Sequence, residues 1–300
     1  LLAETVGIGA ALVAATAALT AAGAPAWTRV PTAVATGFWM QRLYVVGHEA
    51  SHGKLVPDHR RLNDAVGQLF LLPILVPLPV FRKIHRFHHG YNRRDPHTSA
   101  LDVHVVPVGA GPLRRGWGAA LWYLSAFAGG WFVHSLVSIL LFLLLPTRLA
   151  ERVSPAFAGW SVGDRARSIG AFLAAGGLWW AFVAAFGVET LVWCALVPLA
   201  AFAWVYSAQL YIYHYRTTIG PDVRFHARCV RGRLLSWWLC NLNWHATHHA
   251  RPSLVWYALP GAAEPPKYVE NADSEGFWRA VAAQLAGPTW VEDRPRGGAP

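Results

Sequence analysis

Apolar positions in this chain run unbroken for about one membrane thickness at a time, and the polar positions collect in the joints between those runs. Val6 to Ala24 is an apolar stretch of about 19 residues, the length of a membrane-crossing helix, and Pro25 closes it. After Ala26-Trp27-Thr28-Arg29 a second stretch, Val30 to Val46, predicts a return crossing, with Trp39, Arg42 and Tyr44 suited to an end that approaches the interface. Leu69 to Phe81 is apolar too, but it is short and holds Pro73, Pro77 and Pro79, so it predicts a dip or an in-plane segment instead of a regular span. Ile169 to Gly187 and Thr190 to Tyr213 are each near one crossing in length, and only a turn around Val188-Glu189 joins them, so they read as a helical hairpin.

The stretch from Gly116 to Pro146 decides the topology. It is apolar except for Gly129-Gly130 and His134. A single crossing there would put the segment around His245 across the membrane from those around His48 and His85, and would expose the loop bearing Arg148, Arg152, Arg165 and Arg167. A re-entrant or in-plane helix pair bent at Gly129-Gly130 avoids both outcomes and leaves four crossings. Of the 26 Lys and Arg residues, this arrangement leaves only Arg29 outside and Arg42 within a span near its inner end, as the positive-inside rule prefers.

Composition agrees with the pattern. Hydrophobic residues make up 54% of the chain and charged residues 14%, against about a quarter charged in soluble proteins, and the mean hydropathy is +0.30. The expectation is an integral, multi-pass, all-α membrane protein of four transmembrane helices plus in-plane or re-entrant helices. A net charge of +10 raises nucleic acid as a partner, but the arginines flank apolar runs and form no nucleic-acid motif, so membrane anchoring accounts for them. Cys194, Cys229 and Cys240 show no C-x-x-C spacing and read as reduced, structural residues. The tail from Pro252 to Pro300 contains Pro260-Gly261, Pro265-Pro266 and an amphipathic piece around Phe277-Trp278 and Val281 to Leu285, predicting a soluble cap with disorder near Arg294 to Pro300.

The chemistry sits in the polar joints. His48-Glu-Ala-Ser-His52, His85-Arg-Phe-His88-His89 and His245-Ala-Thr-His248-His249 hold eight of the 14 histidines. Residues three and four apart share one helix face, so each cluster offers its imidazoles to a single point. Neutral imidazole is the commonest metal ligand, and eight exceed what one tetrahedral ion needs, so two metal ions are inferred. His214 ends the last crossing, where it would emerge at the same membrane face, and is a ninth candidate. His59, His97, His104 and His226 lie in polar loops and suit supporting or surface roles; His134, inside an apolar run, suits a hydrogen-bonded core position. A rival reading takes His48-Glu49-x-x-His52 as the H-E-x-x-H of a zinc protease, with Glu49 as general base. Such an enzyme needs one further ligand, and Leu101-Asp102 is a weak candidate for it, while six more clustered histidines go unused.

His48-x3-His52-Gly53, His85-x2-His88-His89 and Asn243-Trp-His245-x2-His248-His249, followed by Pro252 and Trp256-Tyr257-x-Leu259-Pro260, resemble the membrane fatty acid desaturase and hydroxylase superfamily. Arg61-Leu62-Asn63-Asp64-x2-Gly67 after the first box and Asp95-Pro96 after the second extend the similarity, which covers roughly Phe38 to Pro260. The resemblance implies a single domain over residues 1–300, with a core at about 38–260 and a soluble tail at 261–300. It further implies a cytosolic cap holding two irons on His48, His52, His85, His88, His89, His245, His248 and His249, with His214 matching a ninth histidine of several members. The implied activity is dioxygen-dependent desaturation of a fatty acyl chain carried on a lipid or a thioester; the runner-up is a carotenoid ketolase or hydroxylase with the same boxes.

Such a reaction consumes two external electrons. The chain has no haem, flavin or iron-sulfur segment, so a separate donor of the ferredoxin or cytochrome b type is expected. The basic loop Arg224, Arg228, Arg231 and Arg233 could dock that donor or a phosphate-bearing headgroup, or could be solvated loop arginines. Trp179, Trp180, Trp204, Tyr206, Tyr211 and Tyr213 could line an apolar substrate cavity or face lipid. Asn92-Arg93-Arg94, after the second box, matches no substrate-specific pattern.

Overall fold

Nothing breaks the helix between Pro25 and the first histidine pair, so the second apolar run extends past both of its expected ends. In the computed structural model, which describes residues 1–95 and 105–292, α1 (Leu2–Ala21) packs antiparallel on α2 (Ala26–Ser51). The 26 residues of α2 reach about 39 Å at ~1.5 Å per residue, more than the ~30 Å of a hydrocarbon core. Three of its polar side chains find partners on other helices: Arg29 pairs with Glu189, Gln41 bonds Gln209, and Arg42 meets Glu4, Thr5 Oγ1 at 3.1 Å and the carbonyl of Trp237 at 2.5 Å.

The expected dip is a corner. α3 (Arg60–Leu71) and α4 (Leu78–Tyr91) meet at 94°, with Leu75 in the left-handed region between them. Gln68 holds the bend, accepting from Leu78 N at 2.8 Å and donating to Val76 O at 3.3 Å. A second corner of 92° joins α5 (Pro112–Phe127) to α6 (Gly130–Leu144), at the glycine pair where the sequence places it. Gly129 has φ 81°, and a Cβ on Gly130 would stand 2.7 Å from Ser125 Cα, so both glycines are required.

After α7 (Thr147–Val153), α8 (Val162–Leu191) is interrupted at Gly187 (φ 78°, ψ 169°) and passes through a π turn into α9 (Val197–Leu210). Trp179 and Val183 face Ala195 and Leu199 across one pocket, so the two limbs lie side by side as the predicted hairpin, its break one residue before Val188. Among the described residues, two helical stretches, Leu2–Ala21 and Val162–Leu210, are long and apolar enough to cross a membrane, and up to four if each bent pair counts as one span. α2 falls short of that apolarity because of its charged and amide side chains. At the centre α2 and α9 touch closely: a Cβ on Gly37 would lie 2.3 Å from Pro198 O.

The remaining helices, α10 (Arg233–Trp238), α11 (His245–Ala250) and α12 (Phe277–Ala283), cover one end. Among the described residues the all-α expectation gives way only to two minimal parallel pairings, β1 (Val105–Pro107) with β4 (Thr289–Val291) and β2 (Val230–Arg231) with β3 (Ser274–Glu275). They help fasten the segment after Pro260. α12 buries Ala280 and Val281 among Ile212, Tyr213 and Leu239, Gln284 donates to Ala208 O at 2.8 Å, and Tyr215 donates to Gly287 O at 2.8 Å. Pro96, His97, Leu101-Asp102, His104 and Arg294 to Pro300 lie outside the described residues.

Candidate metal centre

The end of α2, the inner face of α4, the turn after α9 and α11 converge on one point, and all nine candidate histidines meet there. His48, His52, His85 and His248 form one group and His88, His214, His245 and His249 a second; within each, one ring nitrogen per residue lies within 4.8 Å of the others. His89 stands between them. Its Nε2 is 3.1 Å from His85 Nε2 and 3.0 Å from His248 Nε2, and its ring stacks on His249 at 4.3 Å. The six-residue α11 is too short to form by itself and is set by its surroundings: Asn243 bonds Val230 O and Ser236 Oγ, and the left-handed pair Cys240 and Asn241 turns the chain into it.

The nitrogen contacts do not close as hydrogen bonds. His52, His85, His89 and His248 make a chain of three Nε2 to Nε2 approaches at 2.8, 3.1 and 3.0 Å. A neutral imidazole nitrogen either carries one proton or offers one lone pair. Each of these nitrogens can therefore enter only one of the contacts as a hydrogen bond, so at most His52–His85 and His89–His248 are satisfied together and the His85–His89 approach is left without a proton to share. A shared cation removes the conflict, because ligand nitrogens at ~2.0–2.1 Å from one ion at right angles stand roughly 3 Å apart. Burial suits the neutral form that ligation needs: desolvation pushes His52 down to about 4 and His214 to about 3, and it lowers His245, His248 and His249 as well. His48 Nε2 has no protein partner, although buried. The donor set fits two metal ions.

Second partners orient several rings. His214 Nδ1 donates to His226 O at 2.9 Å, which leaves its Nε2 lone pair directed at His245 Nε2, 3.1 Å away. Asn92, whose role the sequence left open, is buried with its side-chain amide 2.6 Å from the same His214 Nδ1. Its neighbour Arg93 is buried too, donating to Thr217 O at 2.9 Å and Tyr211 Oη at 3.0 Å, so this motif builds the wall behind the second group. Glu49 lies 3.4 Å from His48 Nδ1, on a ring that packs against His52, His85 and His248. Asn63 and Arg82 both donate to Ala50 O, holding the first box from behind. Asn63 stood in the stretch Arg61-Leu62-Asn63-Asp64 that extended the resemblance, with no role assigned; no local signal marked Asn92 or Arg82.

His226 supports the site through its carbonyl, His134 lines the cavity described next, and His59 precedes α3 away from the centre. Cys194, Cys229 and Cys240 are buried free thiols. An apolar cavity of about 320 Å³ opens on both histidine groups, with His48, His85, His88, His214 and His245 in its wall. Ile74, Phe81, Ile139, Phe142, Phe157 and Phe202 are among its apolar wall. Of the candidate aromatics, Tyr206, Tyr211 and Tyr213 line it; Trp179 and Trp180 face a separate pocket and Trp204 packs on Phe38. The basic loop is partly tied up, Arg231 by Asp273, Arg224 by Asp222, and Arg228 by the carbonyls of Tyr215 and Glu270.

A family model described as fatty acid desaturase matches residues 25–274. Among curated proteins, the chain is 32% identical over 77 residues to an sn-1 oleoyl-lipid 12-desaturase of Anabaena variabilis, an alignment covering 25% of this chain and 20% of that one. It is 42% identical over 57 residues to a Delta(12) fatty acid desaturase of Caenorhabditis elegans (19% and 15%) and 43% over 63 residues to a chloroplastic omega-3 fatty acid desaturase of Brassica napus (21% and 15%). The aligned stretches thus span a fifth or less of the length of these relatives.

Proposed function

Because the chain belongs to the fatty acid desaturase family, we propose that it is a membrane di-iron oxidoreductase that introduces a double bond into a fatty acyl chain carried on a lipid or a thioester. One observation carries this reading: two four-histidine groups, joined by His89, open onto a single apolar cavity. His48, His52, His85 and His248 would hold one iron and His88, His214, His245 and His249 the other, with His89 joining the first set. The bound metals supply dioxygen-dependent oxidation of an unactivated C–H bond, which no acid or base side chain can accomplish.

The protein's own part is positional. The aliphatic and aromatic wall takes up a chain without hydrogen bonds, excludes water, and brings one methylene pair to the histidine end. Glu49, His226 O and Asn92 fix the rings that face it. Four crossings, α1, α2 and the two limbs of the hairpin, leave the histidine ends on one side. The Arg29–Glu189 pair supports this, since it ties the start of α2 to the hairpin turn, away from the histidines. The cationic residues of α3, α4 and the start of α8 accompany the histidine side, which makes that side cytosolic. Electrons come from a separate ferredoxin or cytochrome b-type donor.

The test is expression in a host with a simple lipid pool, with mass spectrometry of its fatty acids and of added carotenoid. New double bonds that disappear in His88→Ala are expected. Oxygenated carotenoid with unchanged fatty acids would replace the acyl reading by carotenoid oxidation.

A further inference from the structure

Two of the four arginines in the basic loop that the sequence singles out face carboxylates, and a denser gathering of positive charge lies where no linear motif marks it. A groove of about 750 Å³ lies between α3, α4 and the first turns of α8. Its wall carries Arg60, Arg61, Arg82, Lys83, Arg86 and Arg167 against Asp64 and Asp164, six cations to two carboxylates. Arg82 is committed to Asp64 and to the carbonyls of Ala50 and Ser51, and Arg167 to Asp164. Arg60, Arg61, Lys83 and Arg86 pair with no carboxylate among the described residues. Leu78, Pro79, Trp160 and Ala171 give the groove an apolar floor. None of its lining residues lines the acyl cavity, so this is a second, separate site.

Concave clusters of arginine match phosphate oxygens through paired N–H donors, and basic pockets between membrane helices are where lipid headgroups are held. The groove sits at the first two turns of α8, the depth of headgroups if that helix crosses the membrane. Below it, on the face of α8 that carries Arg167 and Ala171, Leu178 is an exposed apolar side chain along which an acyl tail can lie. We propose that this groove binds the phosphate of an anionic membrane lipid and so anchors the histidine end at the bilayer surface. The inference rests on the membrane reading above for α8, and not on the metal chemistry.

The full chain in detergent is titrated with phosphatidylglycerol or phosphatidylcholine, and bound lipid is counted by native mass spectrometry. The wild type should retain phosphatidylglycerol selectively, and the combined Arg60→Gln, Arg61→Gln, Arg86→Gln variant should bind it about tenfold or more weakly. Arg224→Gln with Arg233→Gln, a charge loss away from the groove, should change nothing. Displacement by millimolar inorganic phosphate, with equal binding of a soluble phosphate ester, would assign the same phosphate chemistry to a soluble ligand; no displacement assigns it to lipid. Unchanged selectivity in the triple variant, an equal loss in the control pair, or capture of an acidic protein in place of any phosphate would overturn the proposal. Iron in the same samples tests the enzyme reading separately: an iron-free wild type that still selects phosphatidylglycerol would sink that reading alone.

Discussion

Removing the Asn63 side chain should loosen one metal group and spare the other. Asn63 is fully buried; its Oδ1 accepts from Leu55 N at 3.1 Å and Val56 N at 3.2 Å, and its Nδ2 donates to Ala50 O at 2.9 Å. It therefore ties the turn after the first box to the last turn of the helix that carries it. Each net bond is worth about 1 kcal/mol, and water can reach the half-buried amides of Leu55 and Val56 in part, so Asn63→Ala should cost about 2–3 kcal/mol. For a chain of this size that is a fall of roughly 5 °C in melting temperature. Arg82 also donates to Ala50 O, so Asn63→Ala and Arg82→Ala should couple, the double variant departing from the sum of the singles. Scanning fluorimetry gives the melting temperature, and metal analysis should find iron lost from the His48 group and kept on the His88 group, about half the wild-type content. An Asn63→Ala protein that melts within about 1 °C of the wild type with full iron would refute the reasoning.

His48→Ala and His88→Ala should each lower iron by about one ion per chain and abolish acyl oxidation, whereas His89→Ala should deplete the first group more than the second; metal analysis and fatty acid profiling read both effects. Gly67→Ala would set a Cβ 2.2 Å from Ala50 Cβ, so it should destabilise the chain by about 1–3 kcal/mol, measured by the same melting assay. Burial raises the Asp64 carboxyl, but its bonds to Arg82 and Asn63 outweigh that and hold it below the usual carboxylate range. Its stabilising contribution is thus present above the ordinary carboxylate pKa and lost as pH falls through the lower folded value; a melting curve against pH should show that acid loss diminished in Asp64→Asn. Ser138→Phe narrows the acyl cavity, and product analysis should shift toward shorter chains.

The long apolar helices, the hairpin turn and the glycine bend were legible because each is a local property: an apolar run as long as a membrane is thick, a polar joint, a residue pair free to take positive φ. The eight box histidines were legible for the same reason, as spacing of three and four places them on one helix face before any tertiary contact forms. His214 was partly legible, since its position at the end of a crossing gave its depth and nothing more. The 94° corner between α3 and α4 announced itself only as three prolines; the angle depends on Gln68 reaching across the bend.

What the sequence by itself determined is the donor set and the solvent: imidazoles at ligand spacing, on segments that belong in or beside a membrane. Which histidines could share an ion was decided by tertiary structure, because the grouping crosses the boxes, with His248 joining His48 and His88 joining His245. The same holds for Asn92 behind His214, for the tail docked by Gln284, and for the basic groove assembled from three helices. Each depends on distances between residues far apart in the chain. Those distances are set by packing, and local spacing carries no information about them.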